Sequence, residues 1–323
     1  MSQRARTANV FAWDNQGGVS RHIAILLGML RDAGYAASVR GIPIRGRGAR
    51  HLAALRSRLP RRPTVDLNLF VESIVPGALS SARTNVLIPM QEWFAPVDFS
   101  LLPLLDLVVC HSQHATDIFS GHGVPVRCLG FTSDDRRSDT APDRRGRILH
   151  VAGRSHYKGS TAVLAAWAKH PEWPDLTIVH REGLLPVVAL KNVEQKIGQL
   201  DDRELQRLQN EAWLHLQPSE AEGFGHCLCE GLSTGGVVLT MDAPPMNELV
   251  RAERGVLVPW DHQAPMNAGQ RFFPAASVLE RVVDEVLRVG PGGYEPMMRA
   301  AREWYEANDR RVHADFVSLF RGL

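Results

Sequence analysis

Residues 216–250 read LQPSEAEGFGHCLCEGLSTGGVVLTMDAPPMNELV. A short apolar strand leads into a turn that carries Gly223 and Gly225, and then into a helix that opens near His226. Such a strand, glycine turn and helix can hold a diphosphate. Glycine has no Cβ and lets the backbone approach a ligand, and the N–H groups that open a helix favour negative charge. Glu222 precedes this turn and Glu230 follows about one turn into the helix. Two carboxylates beside an anion site would repel phosphate, so they are expected to accept hydrogen bonds from the hydroxyls of a sugar and a ribose. That combination is the logic of a sugar nucleotide.

The rest of the chain frames this segment. Strand-like runs alternate with helical patterns: ANVFAW (8–13), a helix over 18–33, TVDLNLF (64–70), NVLIPM (85–90) and DLVVCHS (106–112). A second series follows: RILHVAG (147–153), a helix from Ser160, LTIVH (176–180), a helix near Arg203, WLHLQ (213–217) and GVVLT (236–240). This βαβ rhythm predicts α/β domains with parallel sheets. Asp201 and Glu204 stand in capping-box spacing at the helix near Arg203, and Ser160 is placed to cap the helix after Lys158. The polar stretch SDDRRSDTAPDRRG (133–146) separates the two series. Two Rossmann-like domains are therefore expected, one over 1–140 with about 305–323, the other over 146–304. Open α/β sheets bind ligands at the carboxyl ends of their strands, which puts the expected function in a cleft between the domains.

Composition narrows the class. With 44% hydrophobic and 22% charged residues in 323, the chain has the make-up of an ordinary globular protein. No apolar run approaches the roughly 18 residues of a membrane span, and residues 1–10 lack the apolar stretch of a signal peptide, so the cytoplasm is the expected location. Cys110, Cys128, Cys227 and Cys229 follow neither CxxC nor a zinc spacing and read as free thiols. Charge is uneven: residues 1–149 hold 19 Arg against 12 acids, and eight of those arginines fall within 40–62, a stretch without an acid. A basic face of this kind suits an anionic partner. The plainer reading is codon usage, since Arg outnumbers Lys 33 to 4 over the whole chain.

The segment EGFGHCLCE (222–230) resembles the E-x7-E motif of the family-four retaining glycosyltransferases, and the pattern around it, PS, EGFG, E, GG, VL, D, P and EL in order, is similar to theirs. VAGRSHYKG (151–159) resembles the family's glycine-arginine then lysine-glycine segment. NQGGVSRHIAILLGML (15–30) is similar to its first loop and helix, and REWYEANDRRVHADFVSLF (302–320) to its closing helix. The resemblance implies a GT-B fold, two Rossmann-like domains facing across a cleft with the C-terminal helix crossing back. It implies a catalytic set of Arg154, Lys158 and Glu222, with the two cations on the donor diphosphate. Backbone amides at Gly17 and Gly18 would meet the phosphate from the opposite wall. Glu222, Phe224 and Gly225, after Gly223, would position the sugar, Glu230 would bind the ribose, and the base, uracil or guanine, would lie against KIG (196–198) at Ile197.

The chain departs from the family in three places. Only three residues separate Arg154 from Lys158 where relatives commonly have four. LTIVHREG (176–183) lacks the usual glycine pair, which leaves His180, Arg181 and Glu182 without a role. Many relatives carry an acceptor-side histidine where this chain offers PMQEWF (89–94), so Gln91, Glu92 and His111 are the acceptor-side candidates.

Rival chemistry fits less well. His226 and Glu230 share a helix face, but two ligands do not make a metal site. Paired carboxylates also suit glycoside hydrolysis, yet a hydrolase has no need of an arginine-lysine clamp, whereas a transferase must stabilise a departing nucleoside diphosphate. No D-x-D occurs in the chain. The expectation is metal-independent transfer with retention, without a cofactor, from a UDP- or GDP-linked sugar. The acceptor is expected to be anionic, a phospholipid, glycan or nucleic acid, and peripheral contact with the inner face of a membrane is a partner the basic stretch allows. Two alternatives stay open: a sugar phosphorylase or epimerase on the same fold, and a polyanion-binding module that uses residues 40–62.

Overall fold

The computed structural model describes residues 5–13, 18–42, 63–138 and 147–323. They divide into two compact units, one of Met1–Phe131, Met266–Gly269 and Arg310–Leu323, the other of Thr132–Pro265 and Gln270–Asp309.

The first unit holds a six-stranded parallel sheet in the order β2-β1-β3-β4-β5-β6. Its strands are β1 (Arg6–Ala12), β2 (Tyr35–Gly41), β3 (Val65–Val71), β4 (Ala82–Ile88), β5 (Leu107–Cys110) and β6 (Val126–Cys128). Strands buried on both faces read as apolar runs rather than alternations, and Leu67, Leu69, Phe70 and Val71 of β3 are all buried. The buried Asn68 within that run donates to Asn85 Oδ1 on β4 at 3.1 Å and to Ala78 O at 2.7 Å, so its polar group is satisfied inside the core. Helix α1 (Gly18–Asp32) buries Val19, His22, Ile23, Leu26, Met29 and Leu30, one face at helical spacing.

The second unit holds a parallel sheet in the order β12-β11-β10-β7-β8-β9. These are β7 (Ile148–Gly153), β8 (Leu176–His180), β9 (Val193–Ile197), β10 (Leu214–Leu216), β11 (Val237–Met241) and β12 (Val256–Val258). Chain order reverses between β7 and β10 here, and between β1 and β3 in the first sheet. Such reversals open a crevice at the carboxyl ends of the flanking strands. The helices that follow in the chain are α2 (Gln113–Phe119), α3 (Ser160–Lys169), α4 (Asp202–Glu211), α5 (His226–Thr234), α6 (Met246–Leu249), α7 (Ala276–Gly293) and α8 (Glu295–Gly322). Among the described residues no helix is long and apolar enough to cross a membrane.

Both expected capping devices are corrected. Gly159, in the left-handed region at φ 69°, holds the cap position of α3. Ser160 is turned inward instead. His150 Nδ1 lies 2.6 Å from Leu216 O, and a carbonyl only accepts, so that nitrogen carries the proton. His150 Nε2 then accepts from the Ser160 hydroxyl at 2.7 Å. Asp201 does occupy the cap of α4, but its side chain makes no capping bond, and Glu204 pairs with Lys196 at 3.4 Å. The sequence reading also placed no element between β12 and α7, where a hairpin stands, β13 (His262–Met266) with β14 (Gly269–Phe273). Residues 132–138, from the polar stretch, count with the second unit, where the buried Arg136 donates to Gln209 at 2.9 Å and to Asp202 at 2.9 Å.

Burial pushes both His150 and His111 down from 6.5 to about 4. A histidine whose folded value is depressed contributes its stability fully above the unfolded value, and loses it as pH falls toward the folded one. The melting temperature is therefore expected to fall as pH drops from about 6.5 to 4. Calorimetry over that range checks this, and a flat profile contradicts it.

Candidate functional site

The reversal in the second sheet lies between β7 and β10, and the loops that leave their carboxyl ends carry Arg154 to Gly159 and Gln217 to Gly225. The two loops touch backbone to backbone. A Cβ built on Gly159 would stand 2.2 Å from Pro218 O, and φ 69° is itself a glycine conformation. This approach delivers the neighbouring Lys158 onto Glu222. Lys158 Nζ donates to Glu222 Oε1 at 2.5 Å and to Cys227 Sγ at 3.5 Å, and Ser219 Oγ donates to the same carboxylate oxygen at 2.7 Å.

The pair is shielded, with the lysine side chain 16% and the glutamate 6% exposed. Burial opposes the Lys158 charge, but the Cys227 sulfur, once it ionises at high pH, and the Glu222 carboxylate hold its pKa above the ordinary lysine value. Burial pushes the Cys227 thiol up to about 12, so it stays protonated at neutral pH and Glu222 supplies the balancing charge. An ammonium has three donors, and two of them are engaged here among the described residues.

Helix α5 begins at the end of the second loop. Gly225, at φ 77°, caps it without a side-chain bond, and a Cβ there would meet Leu249 Cδ1 at 2.7 Å. Gly223 and Phe224 lie in the turn before it, with Phe224 buried. Glu230 points into a different network: Gln209 Nε2 donates to its Oε2 at 2.6 Å, and Ser133 Oγ lies 3.4 Å from its Oε1. Ser133 Oγ in turn lies 2.8 Å from His226 Nδ1. Among the described residues no three His, Cys, Asp or Glu side chains converge as a metal site would.

Beside this centre is a cavity of about 520 Å³, lined by Arg154, His156, Arg181, Glu182, Gly198 and Gln199, with Gly183 and Leu184. The side chains left unassigned in the sequence, Arg181 and Glu182, thus share a cavity with Arg154. Arg181 Nη2 donates to Gln199 Oε1 at 2.9 Å. A guanidinium has no acceptor, so the amide of Gln199 is oriented with its oxygen on Arg181. Ile197, the last residue of β9, is 42% exposed next to this lining.

A brace that sequence reasoning missed holds the Glu222 loop from behind. The Arg271 guanidinium of β14 binds the Glu220 carboxylate, with Nε at 3.0 Å, and lies 4.7 Å from the ring centres of both Tyr157 and Phe273. Backbone bonds from Glu220 N to Tyr157 O and from Phe272 N to Glu220 O, both 2.8 Å, complete it. Only the pairing of Arg271 with Glu220, 51 residues apart, would have shown it, and spacing does not.

The first-unit candidates sit at the carboxyl edge of their own sheet. Gly18 opens α1, while Gly17 lies outside the described residues. Gln91 and Glu92 are buried after β4. Asn267 Nδ2 donates to Glu92 O at 2.7 Å, and a Cβ on Gly269 would stand 3.0 Å from Gln91 Cγ. His111 follows β5; its Nδ1 lies 2.9 Å from Gly130 O and its Nε2 lies 3.2 Å from His22 Nε2. The carbonyl again fixes the tautomer: His111 Nδ1 donates, and its Nε2 accepts from His22, a partner the sequence did not suggest. Of the arginine-rich stretch, Arg40 donates to Asn9 Oδ1 at 3.1 Å and residues 43–62 lie outside the described residues.

Removing one partner of a buried ion pair leaves the other charge uncompensated. Glu222→Ala is expected to lower the free energy of unfolding by about 3 kcal/mol, and adding Lys158→Met in the same chain is expected to recover part of that loss. Urea titration of the two variants checks this; additive losses would show the pair to be uncoupled.

Residues 188–267 match the family model described as Glycosyl transferases group 1, a span that includes Ile197 and Glu222 to Glu230. No curated protein matches the chain. Solved structures match over nearly its whole length. A glycosyltransferase from Rickettsia africae ESF-5 is 12% identical, covers 99% of each chain and superposes with a TM-score of 0.72. Sucrose-phosphate synthase from Thermosynechococcus elongatus is 14% identical over 98% of each chain, with a TM-score of 0.71. Anabaena HepE in complex with UDP-glucose is 13% identical over 98% of this chain and 100% of that one, with a TM-score of 0.70. At these identities the likeness speaks for the fold. The chain has the GT-B glycosyltransferase fold, two parallel α/β sheets in one chain, and across residues 188–267 it resembles the group 1 glycosyl transferases.

Proposed function

We propose that this protein is a glycosyltransferase that moves a sugar from a nucleoside-diphosphate sugar to an acceptor hydroxyl, with retention of configuration and without a metal ion. One observation carries the reading. The carboxyl edge of the second sheet gathers a shielded ammonium–carboxylate pair, Lys158 with Glu222, and a cavity lined in part by Arg154 and Arg181. Cations at such a place suit a diphosphate in the ground state and suit it better as it leaves, because negative charge grows on the departing oxygen. Arg154 offers a planar, bidentate donor set and Lys158 a compact charge held in place by Glu222. The Glu222 carboxylate serves the sugar hydroxyls, the Phe224 and Gly225 backbone the sugar's remaining face, and Glu230 the ribose.

Gln199 supports a choice of base. Its amide oxygen is committed to Arg181, so what it presents is a donor. A donor suits the carbonyl oxygens of uracil or guanine, the two bases expected from the resemblance. HepE, bound to UDP-glucose in its solved structure, supports the uracil arm of this choice.

A ligand at a hundred times its dissociation constant adds about 2.7 kcal/mol of stability. UDP or GDP is expected to raise the melting temperature and ADP to raise it less; a protein that responds to none of them is not a nucleotide-sugar enzyme. Lys158→Ala is expected to lower kcat/KM for the donor at least tenfold, about 1.4 kcal/mol, and an unchanged value would make Lys158 a structural cation only. Turnover is also expected to persist in EDTA. Loss on chelation with recovery on adding magnesium or manganese would refute metal independence.

A further inference from the structure

Residues 132–138 bring one arginine into the interior of the second unit, where Arg136 is buried between α4 and α5. Its Nε donates to Gln209 Oε1 at 2.9 Å. The far end of the same amide meets Glu230, with Gln209 Nε2 donating to Glu230 Oε2 at 2.6 Å. These partners fix the amide. A guanidinium only donates and an ionised carboxylate only accepts, so Gln209 turns its oxygen to Arg136 and its NH₂ to Glu230.

Arg136 is held in turn from both helices. Its Nη1 reaches Asp202 Oδ2 and its Nη2 reaches Asp202 O, each at 2.9 Å. Arg136 N donates to Ser233 Oγ at 3.0 Å, Ser233 Oγ donates to Glu230 O at 2.8 Å, and Asn210 Nδ2 donates to Arg136 O at 2.7 Å. A row of hydrogen bonds therefore runs from Asp202, exposed at the start of α4, through Arg136 and Gln209 to the buried Glu230. Every member of the row belongs to the second unit.

Helix packing does not require this row. Apolar side chains would join α4 to α5 without burying a guanidinium and a carboxylate, and a direct contact between the two would gain the attraction that an intervening neutral amide forgoes. A direct contact would also spend the carboxylate on Arg136. The amide takes one acceptor site of the roughly four that an ionised carboxylate has, and Ser133 Oγ lies 3.4 Å from the other oxygen, Oε1. What the amide adds is direction, since a carboxylate held before its ligand arrives loses less freedom on binding.

We propose that Gln209 is a positioning residue for the donor: oriented by Arg136, it holds the Glu230 carboxylate in the plane in which that group accepts from the ribose hydroxyls. The assignment rests on the transferase reading above, in which Glu230 serves the ribose. Gln209 touches no substrate and acts through Glu230 alone.

The test measures, by calorimetry on the full chain, the binding of UDP and GDP and of their 2′,3′-dideoxy forms, which lack both hydroxyls. The wild type is expected to bind the better of UDP and GDP at least about tenfold more tightly than its dideoxy form, since hydrogen bonds to a charged group are the stronger kind. Gln209→Leu is expected to bind the two forms within about twofold of each other, with the dideoxy affinity within about twofold of wild type, because only the contact through Glu230 is lost. A merely structural role would weaken both forms alike. Gln209→Met repeats the measurement with an unbranched side chain, so a folding defect in one variant does not hide the result. A wild-type preference in a folded variant, an equal loss for the two forms, or failure of both variants to fold overturns the assignment. A wild type that binds the two forms alike takes Glu230 off the ribose and overturns it too, with the transferase reading left standing. Absence of UDP and GDP binding by the wild type would instead refute the transferase reading itself.

Discussion

The contact between Gly159 and the carbonyl of Pro218 is the constraint on which the second unit's site depends. Adjacent parallel strands lie about 4.8 Å apart, so the loops leaving β7 and β10 start close together. They come together further out only if nothing projects from the chain at the crossing. Glycine at 159 meets that condition twice over, with no Cβ to strike Pro218 O and with a left-handed φ of 69° that turns the chain into α3. Lys158 precedes this turn and is carried inward with it, onto a glutamate 64 residues away. Ser160, which follows, goes to His150 rather than to the helix end.

Once the lysine is inside, electrostatics decide the rest. A buried ammonium is tolerated only with a carboxylate and further hydrogen bonds, and Ser219 supplies the additional bond to Glu222. The arrangement is therefore costly to disturb. Arg271 acts at one remove: its guanidinium lies against two aromatic rings and binds Glu220, holding the loop that carries Glu222.

The two sheets use the same topological device for different chemistry. In the second, the reversal between β7 and β10 collects cations. In the first, Glu72 follows β3 beside the reversal, with a left-handed backbone and a carboxyl raised to about 7 by burial.

Sequence alone determined the α/β class, the strand and helix alternation and the segment over 216–250, because periodicity and glycine placement are local properties of the chain. Arg154, Lys158 and Glu222 were picked out by the resemblance of 151–159 and 222–230 to a known family, which is likewise a local property of the sequence. What lay beyond sequence were relations between residues distant in the chain. The direct bond of Lys158 to Glu222, the Arg181–Gln199 pair in the cavity, the His22–His111 tautomer and the Arg271 brace all join residues that only strand order brings together. Ser160 shows the limit most plainly: its position before a helix predicted a cap, but a buried histidine acceptor 2.7 Å away took the hydroxyl. Glu72 had no signature at all, since neither its left-handed φ nor the burial that raises its carboxyl exists until β3 and β4 are paired and the core has closed around them.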